Sequence, residues 1–181
     1  MFRFALTTSA ALALAACSSG SDDVDADGDG TVSAEEATAA AAKVRPLEPG
    51  QYRMSMELLE ITDPTMSDEE IAQARQFFAA MGGMAPPRCL SEEEANRGMA
   101  GVAEGLQNGN CTTDSLTANA DGMKGEMTCK GENGPAKVTL DTTATGTESV
   151  MTMSVVEPTG QGSDKSMTMK IGMTRIGDCP N

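Results

Sequence analysis

Oxygen-bearing side chains occupy alternate positions from Asp25 to Ser33, and Glu36 follows three residues later. Calcium is a hard cation that takes about six to eight oxygen ligands, and a single carboxylate-rich loop can supply most of them. The ligands would be the carboxylates of Asp25, Asp27 and Asp29, the backbone carbonyl of Thr31, Ser33 directly or through water, and both oxygens of Glu36. The sequence therefore predicts a calcium site in residues 25–36.

This segment resembles the loop of an EF-hand. Gly30 stands where that loop turns sharply, and Val32 stands where an aliphatic residue pairs with a partner loop. Residues 34–43 are rich in Ala and Glu, which favours an exiting helix. An incoming helix and a second loop are missing, so we expect a weak site with a Kd of about 10⁻⁴–10⁻³ M. The alternative is an acidic tether that binds calcium only incidentally.

The first 16 residues are typical of a secretory signal peptide. Arg3 is the only charge, and the apolar stretch that follows is shorter than the roughly 20 residues of a membrane-spanning helix. Residues 14–17, Leu-Ala-Ala-Cys, resemble the lipobox of bacterial lipoproteins, which implies cleavage before Cys17 and lipid on its sulfur. Ser18 at the next position implies the outer membrane, facing the periplasm. The alternative is an ordinary cleavage nearby that leaves Cys17 as a free thiol.

The cysteine count agrees with this expectation. The chain has five cysteines, and lipid on Cys17 would leave an even number for disulfide bonds in an oxidising compartment. These are Cys89, Cys111, Cys129 and Cys179. Three pairings are possible, of which we favour Cys89–Cys111 with Cys129–Cys179. Zinc is a poor candidate because there is no histidine and no Cys-x-x-Cys pair.

Composition excludes several classes of function. A formal net charge of −14 argues against binding to nucleic acid, which depends on Lys and Arg meeting phosphate. No histidine is present, and many carboxylates lie near predicted turns and strand ends, where solvation is their simplest role. Examples are Asp114, Asp121, Glu126 and Asp141. We therefore predict that the protein is not an enzyme.

The spacing of apolar residues predicts the strands and helices that would position the candidate residues. Six segments are candidate strands, namely 52–58, 111–118, 123–129, 136–142, 148–156 and 166–176. Apolar and polar residues alternate in the first and in the last two, and turns such as Asp121-Gly122 separate the others. A capping box at Ser67 and Glu70 begins a predicted amphipathic helix over 67–81, and a second, weaker helix is predicted from Ser91 to about Leu106. The expected fold is α+β and mainly antiparallel β: a curved, disulfide-bonded meander with two helices, behind a disordered or helical N-terminal tether.

Methionine is abundant, at 14 residues, whereas aromatic residues are few. Three methionine pairs lie two residues apart on one strand face: Met54 with Met56, Met151 with Met153, and Met167 with Met169. Methionine fills irregular cores where aromatic residues are scarce, and flexible methionine surfaces also accept varied apolar ligands. Thioethers suit Cu(I) as well. All three interpretations stay open, with the core interpretation favoured.

A resemblance covers about residues 49–179. The block Pro49-Gly50-x-Tyr52, the block Cys89-Leu90-Ser91-x-Glu93-Glu94, two further cysteines and the final Gly177-Asp178-Cys179 resemble the bacterial envelope family called domain of unknown function 3617. Glu92 departs from the proline common in that family. The resemblance implies an exported, disulfide-bonded β-rich domain and no assigned activity.

These expectations divide the chain into five parts: a signal peptide (1–16), a lipidated linker (17–24), the calcium loop (25–36), a helix or linker (37–48) and a β-rich periplasmic domain (49–181). We expect a lipid-anchored envelope protein whose domain binds an apolar ligand or an envelope partner. The alternative is a structural lipoprotein whose tether is stiffened by calcium. Because the core is expected to begin at about Pro49, calcium would act on the tether and not on the domain.

Overall fold

The computed structural model describes residues 24–25, 27–101, 110–160 and 162–180. Its helices and strands, in chain order, are α1 (Ala34–Ala41), β1 (Gly50–Thr62), α2 (Asp68–Met84), β2 (Arg88–Leu90), α3 (Glu92–Arg97), β3 (Cys111–Asn119), β4 (Gly122–Lys130), β5 (Pro135–Ala144), β6 (Glu148–Pro158) and β7 (Asp164–Gly177). None of the described helices combines the length and the apolar character needed to cross a bilayer. The predicted fold class, mainly antiparallel β with helices and disulfide bonds, is confirmed.

All seven strands form one antiparallel sheet in the order β2-β1-β7-β6-β5-β4-β3. Strands β3 to β7 follow one another as hairpins, as the sequence predicted. Strand β1 joins this meander at its far side, where Met54 lies opposite Met173 of β7. The prediction lacked β2, because a three-residue strand is too short to show an alternating pattern.

The sheet has one apolar and one polar face. Along β5 every second residue is buried and those between are exposed. The buried set is Ala136, Val138, Leu140, Thr142 and Ala144. Met123 of β4 and Met151 of β6 lie on either side of Thr142 and continue the apolar face. On the other face Lys124 and Asp141 form an ion pair at 2.8 Å between exposed side chains, so that face is exposed to solvent.

The N-terminal segment (residues 24–25 and 27–48) packs on this apolar face. Val32, Ala37, Ala40 and Ala41 are buried against a group of sheet residues, which comprises Leu116, Ala118, Met123 and Ala144. The expectation that the core begins only at about Pro49 is therefore wrong. One side of α1 is alanine, and its small side chains let the helix backbone approach the sheet closely.

Capping boxes begin the helices where Ser and Glu are spaced to form them. In α2 and α3 the hydroxyls of Ser67 and Ser91 accept from the backbone N–H of Glu70 and Glu94. The predicted second helix is interrupted: α3 ends at Arg97, Gly98 takes a φ of +49°, and helical backbone resumes at Ala100 and Gly101. The later part of that prediction falls on residues 102–109, outside the described ranges.

The disulfide pairing favoured from the sequence is wrong. The bonds are Cys89–Cys179 and Cys111–Cys129. Cys111 and Cys129 lie directly opposite each other on the β3–β4 hairpin. Cys89 and Cys179 meet because Gln51 of β1 lies between Cys89 of β2 and Gly177 of β7. All four cysteines predicted to form disulfides do so, with exchanged partners.

Candidate functional site

The first candidate site is the acidic loop that precedes α1. Ligand oxygens of Asp25, Asp27 and Asp29 all lie within 4.8 Å of one another. Gly28 and Gly30 adopt φ angles of +71° and +88°, which L side chains rarely adopt. The structure thus brings together the three aspartates that the sequence predicted as ligands.

Backbone N–H groups hold the loop in this shape. Gly28 and Gly30 donate to the two carboxylate oxygens of Asp25 at 2.8 and 3.0 Å. Thr31 donates to Asp29 through both its backbone N–H and its hydroxyl. These donors fix the positions of the carboxylates. The resulting cluster of oxygens fits the oxygen ligands that calcium requires.

Ser33 and Glu36, the two remaining predicted ligands, contact each other instead of joining the aspartates. The Ser33 hydroxyl and backbone N–H donate to Oε2 of Glu36 at 2.8 and 2.9 Å, which completes the capping box of α1. The third helical residue, which completes the capping box in the first turn, is also the position from which an EF-hand glutamate binds calcium. A calcium ion in this loop would therefore compete with the helix end for Glu36.

The loop is fastened to the edge of the sheet. Val32 forms an isolated antiparallel bridge with Thr113 of β3, and its N–H donates to the Thr113 carbonyl at 3.0 Å. Just before the loop, Val24 donates to the Leu116 carbonyl at 3.1 Å. The sequence indicated that Val32 lacked a partner loop, and the structure provides strand β3 in that role.

The second candidate site is the methionine face, defined as the seven methionines of β1, β6 and β7 together with Ile171. Its members are Met54, Met56, Met151, Met153, Met167, Met169, Ile171 and Met173. They lie side by side across the strands: Met153 is opposite Met169, and Met151 is opposite Ile171. All of them are only half-buried, in contrast to Met123 and Met127 of β4, which are buried. Much of the methionine face is therefore open.

A cleft of about 420 Å³ lies at one end of this face. Its floor is formed by Met151, Ile171 and Met173, together with Ala144 and Ser149. One wall is the linker after α1, at residues 45–47, and the other is α3 with the residues that flank it. The volume lies within the range of roughly 300–1,000 Å³ that is usual for small-ligand sites.

The rim of the cleft carries Arg45, Arg88, Arg97 and one carboxylate, Glu94. Glu94 accepts from Arg88 and from the backbone N–H and hydroxyl of Ser91. The Ser91 N–H and then the Arg88 guanidinium lower the pKa of Glu94 from 4.5 to about 2. Glu94 is thus a carboxylate at any physiological pH, and it neutralises one of the three arginines.

Tyr52 lies beneath the cleft and positions its linker wall. Its side chain is 0% exposed and packs with Leu90, Ala95 and Met173. Its hydroxyl donates to the carbonyl of Glu48 at 2.7 Å. Burial raises the pKa of Tyr52 above its ordinary value, so the phenol stays protonated and remains a donor.

Sequence reasoning found the methionines but missed the arginines of the rim. These three residues come from the linker, from β2 and from α3, and no spacing in the sequence brings them together. The available signal is weak: basic residues beside short loops in a strongly acidic chain. The predicted lipid-bearing Cys17 lies outside the described residues.

Fold and sites together define a disulfide-bonded antiparallel β-domain with an open methionine face and an N-terminal acidic loop docked on its edge. The model of the family described as "Protein of unknown function (DUF3617)" matches residues 47–179, and the chain belongs to this family. The matched region includes both disulfides and the described cleft lining apart from Arg45 and Pro46, whereas the acidic loop precedes it. Comparison with curated proteins and with solved structures gave no match.

Proposed function

We propose that this protein binds an apolar ligand in the cleft on its methionine face, while lipid on Cys17 holds it to the outer membrane. The observation that carries the proposal is the contrast between the two halves of the apolar face. The part on β3–β5 that includes Leu116, Met123 and Ala144 is buried beneath the N-terminal segment, whereas the half on β1, β6 and β7 is half-exposed and carries the cleft.

An open apolar face of this kind has a functional meaning. Contiguous apolar surface is seldom left exposed on a soluble domain unless something binds there. Methionine side chains are flexible and polarizable, so a methionine-lined floor adapts to ligands of different shapes. An envelope protein as partner is the competing occupant, and the small, walled cleft favours a small molecule over a protein surface.

A neutral fluorescent probe, N-phenyl-1-naphthylamine, tests this proposal. We expect the protein from Ser18 to Asn181, which contains every described element, to bind it at micromolar concentration. Met151→Gln places an amide on the floor and should weaken binding roughly fivefold, the effect of about 1 kcal/mol of lost apolar contact. Fluorescence titration measures both affinities.

Met81→Gln is the matched control, because Met81 is an exposed methionine of α2 away from the cleft. It should leave the probe affinity unchanged. Equal weakening by both substitutions would place the probe elsewhere. A protein that binds no probe while still binding calcium would favour the alternative, a structural envelope lipoprotein without a ligand.

A second proposal concerns the acidic loop: calcium bound by Asp25, Asp27, Asp29, Thr31, Ser33 and Glu36 stabilises the N-terminal segment on the sheet. The bridge between Val32 and Thr113 supports it, because an ion that orders the loop would also stabilise this contact with β3. With a Kd of about 10⁻⁴–10⁻³ M, calcium at 10 mM (about ten to a hundred times that Kd) adds roughly 1–3 kcal/mol of stability.

Two neighbouring glutamates provide the test of this second proposal. Glu36→Gln keeps the capping box, since glutamine also caps at this position, but removes the bidentate carboxylate. We expect it to weaken calcium binding by roughly tenfold or more in calorimetry and to abolish most of the thermal stabilisation. Glu35→Gln removes the same charge one residue earlier and should change little. Similar losses in both variants would indicate a diffuse acidic effect.

Copper remains the minor alternative for the methionine face. Cross-strand neighbours such as Met153 and Met169 bring thioethers near one another, which is what Cu(I) favours. A Cu(I) competition assay on the Met151→Leu, Met153→Leu double variant distinguishes this alternative, because leucine keeps the apolar floor and removes the sulfur ligands.

A further inference from the structure

We propose that the occupant of the cleft is the unbranched hydrocarbon chain of a single-chain lipid with an uncharged head group, recognised by the length of that chain. The chain would leave the cleft along β6 and β7 and continue to a second cavity at the other end of the same face. This inference rests on the proposed function and adds the shape and the chemical class of the ligand.

Beyond the floor of the cleft, the apolar surface continues as a strip of four cross-strand rows on β1, β7 and β6. In the first row Met54 lies opposite Met173, and each later row has one residue from each of the three strands. All of these residues are half-buried, so a chain laid over them would remove apolar surface from water. The three later rows of this methionine strip are Met56–Ile171–Met151, Leu58–Met169–Met153 and Ile61–Met167–Val155.

A cavity lies at each end of the methionine strip. The first is the cleft, whose floor includes Met151, Ile171 and Met173 from the first two rows. The second cavity, of about 270 Å³, is lined by all three residues of the last row. From Met173 to Met167 the strip is about 20 Å long, at about 3.4 Å per residue of an antiparallel strand. An extended chain can join the two cavities, whereas a compact ligand would fill only one of them.

The strip ends at a compensated ion pair. In the row after Val155, Glu157 lies opposite Lys165, and the Lys165 ammonium contacts Oε2 of Glu157 at 3.1 Å. Both residues line the second cavity together with Asp63, which accepts from the backbone N–H and the hydroxyl of Thr65. The one basic residue of this described lining is therefore paired. This end disfavours an acidic head group and fits an uncharged head group that carries hydroxyls.

The width of the strip favours one hydrocarbon chain over a protein partner. Three strands at a spacing of about 4.8 Å make the strip about 10 Å wide, so its area is roughly 200 Å². A stable protein interface buries roughly 800 Å² on each partner. At the β1 border α2 packs against the strand, and Gly82 approaches the Met56 carbonyl so closely that a Cβ there would collide with it. A formal net charge of −14 also opposes the approach of a second copy.

Alkyl maltosides of increasing chain length test the proposal, because their uncharged head group stays the same. Octyl, dodecyl and tetradecyl maltoside, each below its micelle concentration, compete for N-phenyl-1-naphthylamine bound to the protein from Ser18 to Asn181. We expect the affinity to rise about twofold for each added methylene. Complete burial of a methylene would give about fourfold, and a chain on an open strip buries about half of its surface.

Met167→Gln separates the far end of the strip from the cleft. It should lower the affinity for tetradecyl maltoside about fivefold and leave that for octyl maltoside unchanged, because the shorter chain does not reach Met167. Unchanged octyl maltoside binding also shows that the variant is folded. Val156→Gln is the matched control, because Val156 is exposed on the opposite face at the same end of β6, and it should change neither affinity.

Three results would overturn the extended chain and leave the apolar cleft standing. They are an affinity that does not depend on chain length, an unchanged tetradecyl maltoside affinity in Met167→Gln, and an equal effect of this substitution on both maltosides. Self-association of the protein that Met167→Gln abolishes, measured by sedimentation velocity, would instead assign the strip to a second copy. Failure of the probe and of every maltoside to bind removes both proposals.

Discussion

Replacing Tyr52 by alanine should lower the free energy of unfolding by about 3–5 kcal/mol, the range for deleting a large buried ring. Tyr52 is 0% exposed and joins the start of β1 to Leu90 and Ala95, so its loss leaves a cavity between the sheet and α3. Urea denaturation followed by circular dichroism measures the effect on the protein from Ser18 to Asn181.

Tyr52→Phe separates the ring from its hydroxyl. The ring and its packing stay, while the donor to the Glu48 carbonyl is lost, so we expect about 1 kcal/mol of destabilisation. Because Glu48 follows the linker wall of the cleft, this variant should also weaken probe binding more than its small effect on stability suggests. An alanine variant within about 1 kcal/mol of the unmodified protein would contradict the burial of this side chain.

Removal of the Cys89–Cys179 disulfide should have the second large effect. The bond links residues 90 apart, whereas Cys111–Cys129 links residues 18 apart. A longer closed loop restricts the unfolded chain more, so replacing the first pair by alanine should cost about 4.5 kcal/mol and replacing the second about 3 kcal/mol. Denaturant unfolding of the two double-alanine variants provides the comparison.

The two bonds should also differ in their effect on ligand binding. Cys89 lies between Arg88 and Leu90, which both line the cleft, and its bond ties this wall to the end of β7. Without it the wall is released, so probe affinity should fall. The hairpin bond Cys111–Cys129 lies outside the cleft and serves as the control. Greater loss of binding on removing the hairpin bond would show that the cleft does not depend on β2.

Local patterns in the sequence predicted most of the sheet. Strands β5, β6 and β7 alternate apolar and polar residues over long runs, and turns such as 145–146 separate them. The alternation and the turn residues therefore indicate the same strand boundaries. The acidic loop was equally visible, because its chemistry depends on spacing within a few residues. The aspartates predicted as ligands do lie together, and calcium binding itself remains a proposal.

Long-range partners could not be predicted in the same way. The disulfide pairing depends on β1 lying between β2 and β7, a relation between residues more than a hundred positions apart. The packing of α1 on the sheet could not be predicted from the sequence, because Ala37, Ala40 and Ala41 favour a helix whether they are buried or exposed. The arginine rim was hidden because three separate elements contribute one residue each.

The attachment of the N-terminal segment to β3 also bears on how the protein avoids self-association. β3 is an outer strand, and an outer strand with unpaired N–H and C=O groups is a template for a strand of another copy. Val24 and Val32 already occupy the Leu116 and Thr113 carbonyls of that edge, and a register irregularity between Thr113 and Ser115 interrupts it further. At the opposite edge the three-residue β2 covers only the start of β1, and the rest of that edge is β1 itself. The segment that carries the acidic loop therefore also shields the β3 edge against edge-to-edge polymerisation, a hazard for any β-rich chain at high concentration.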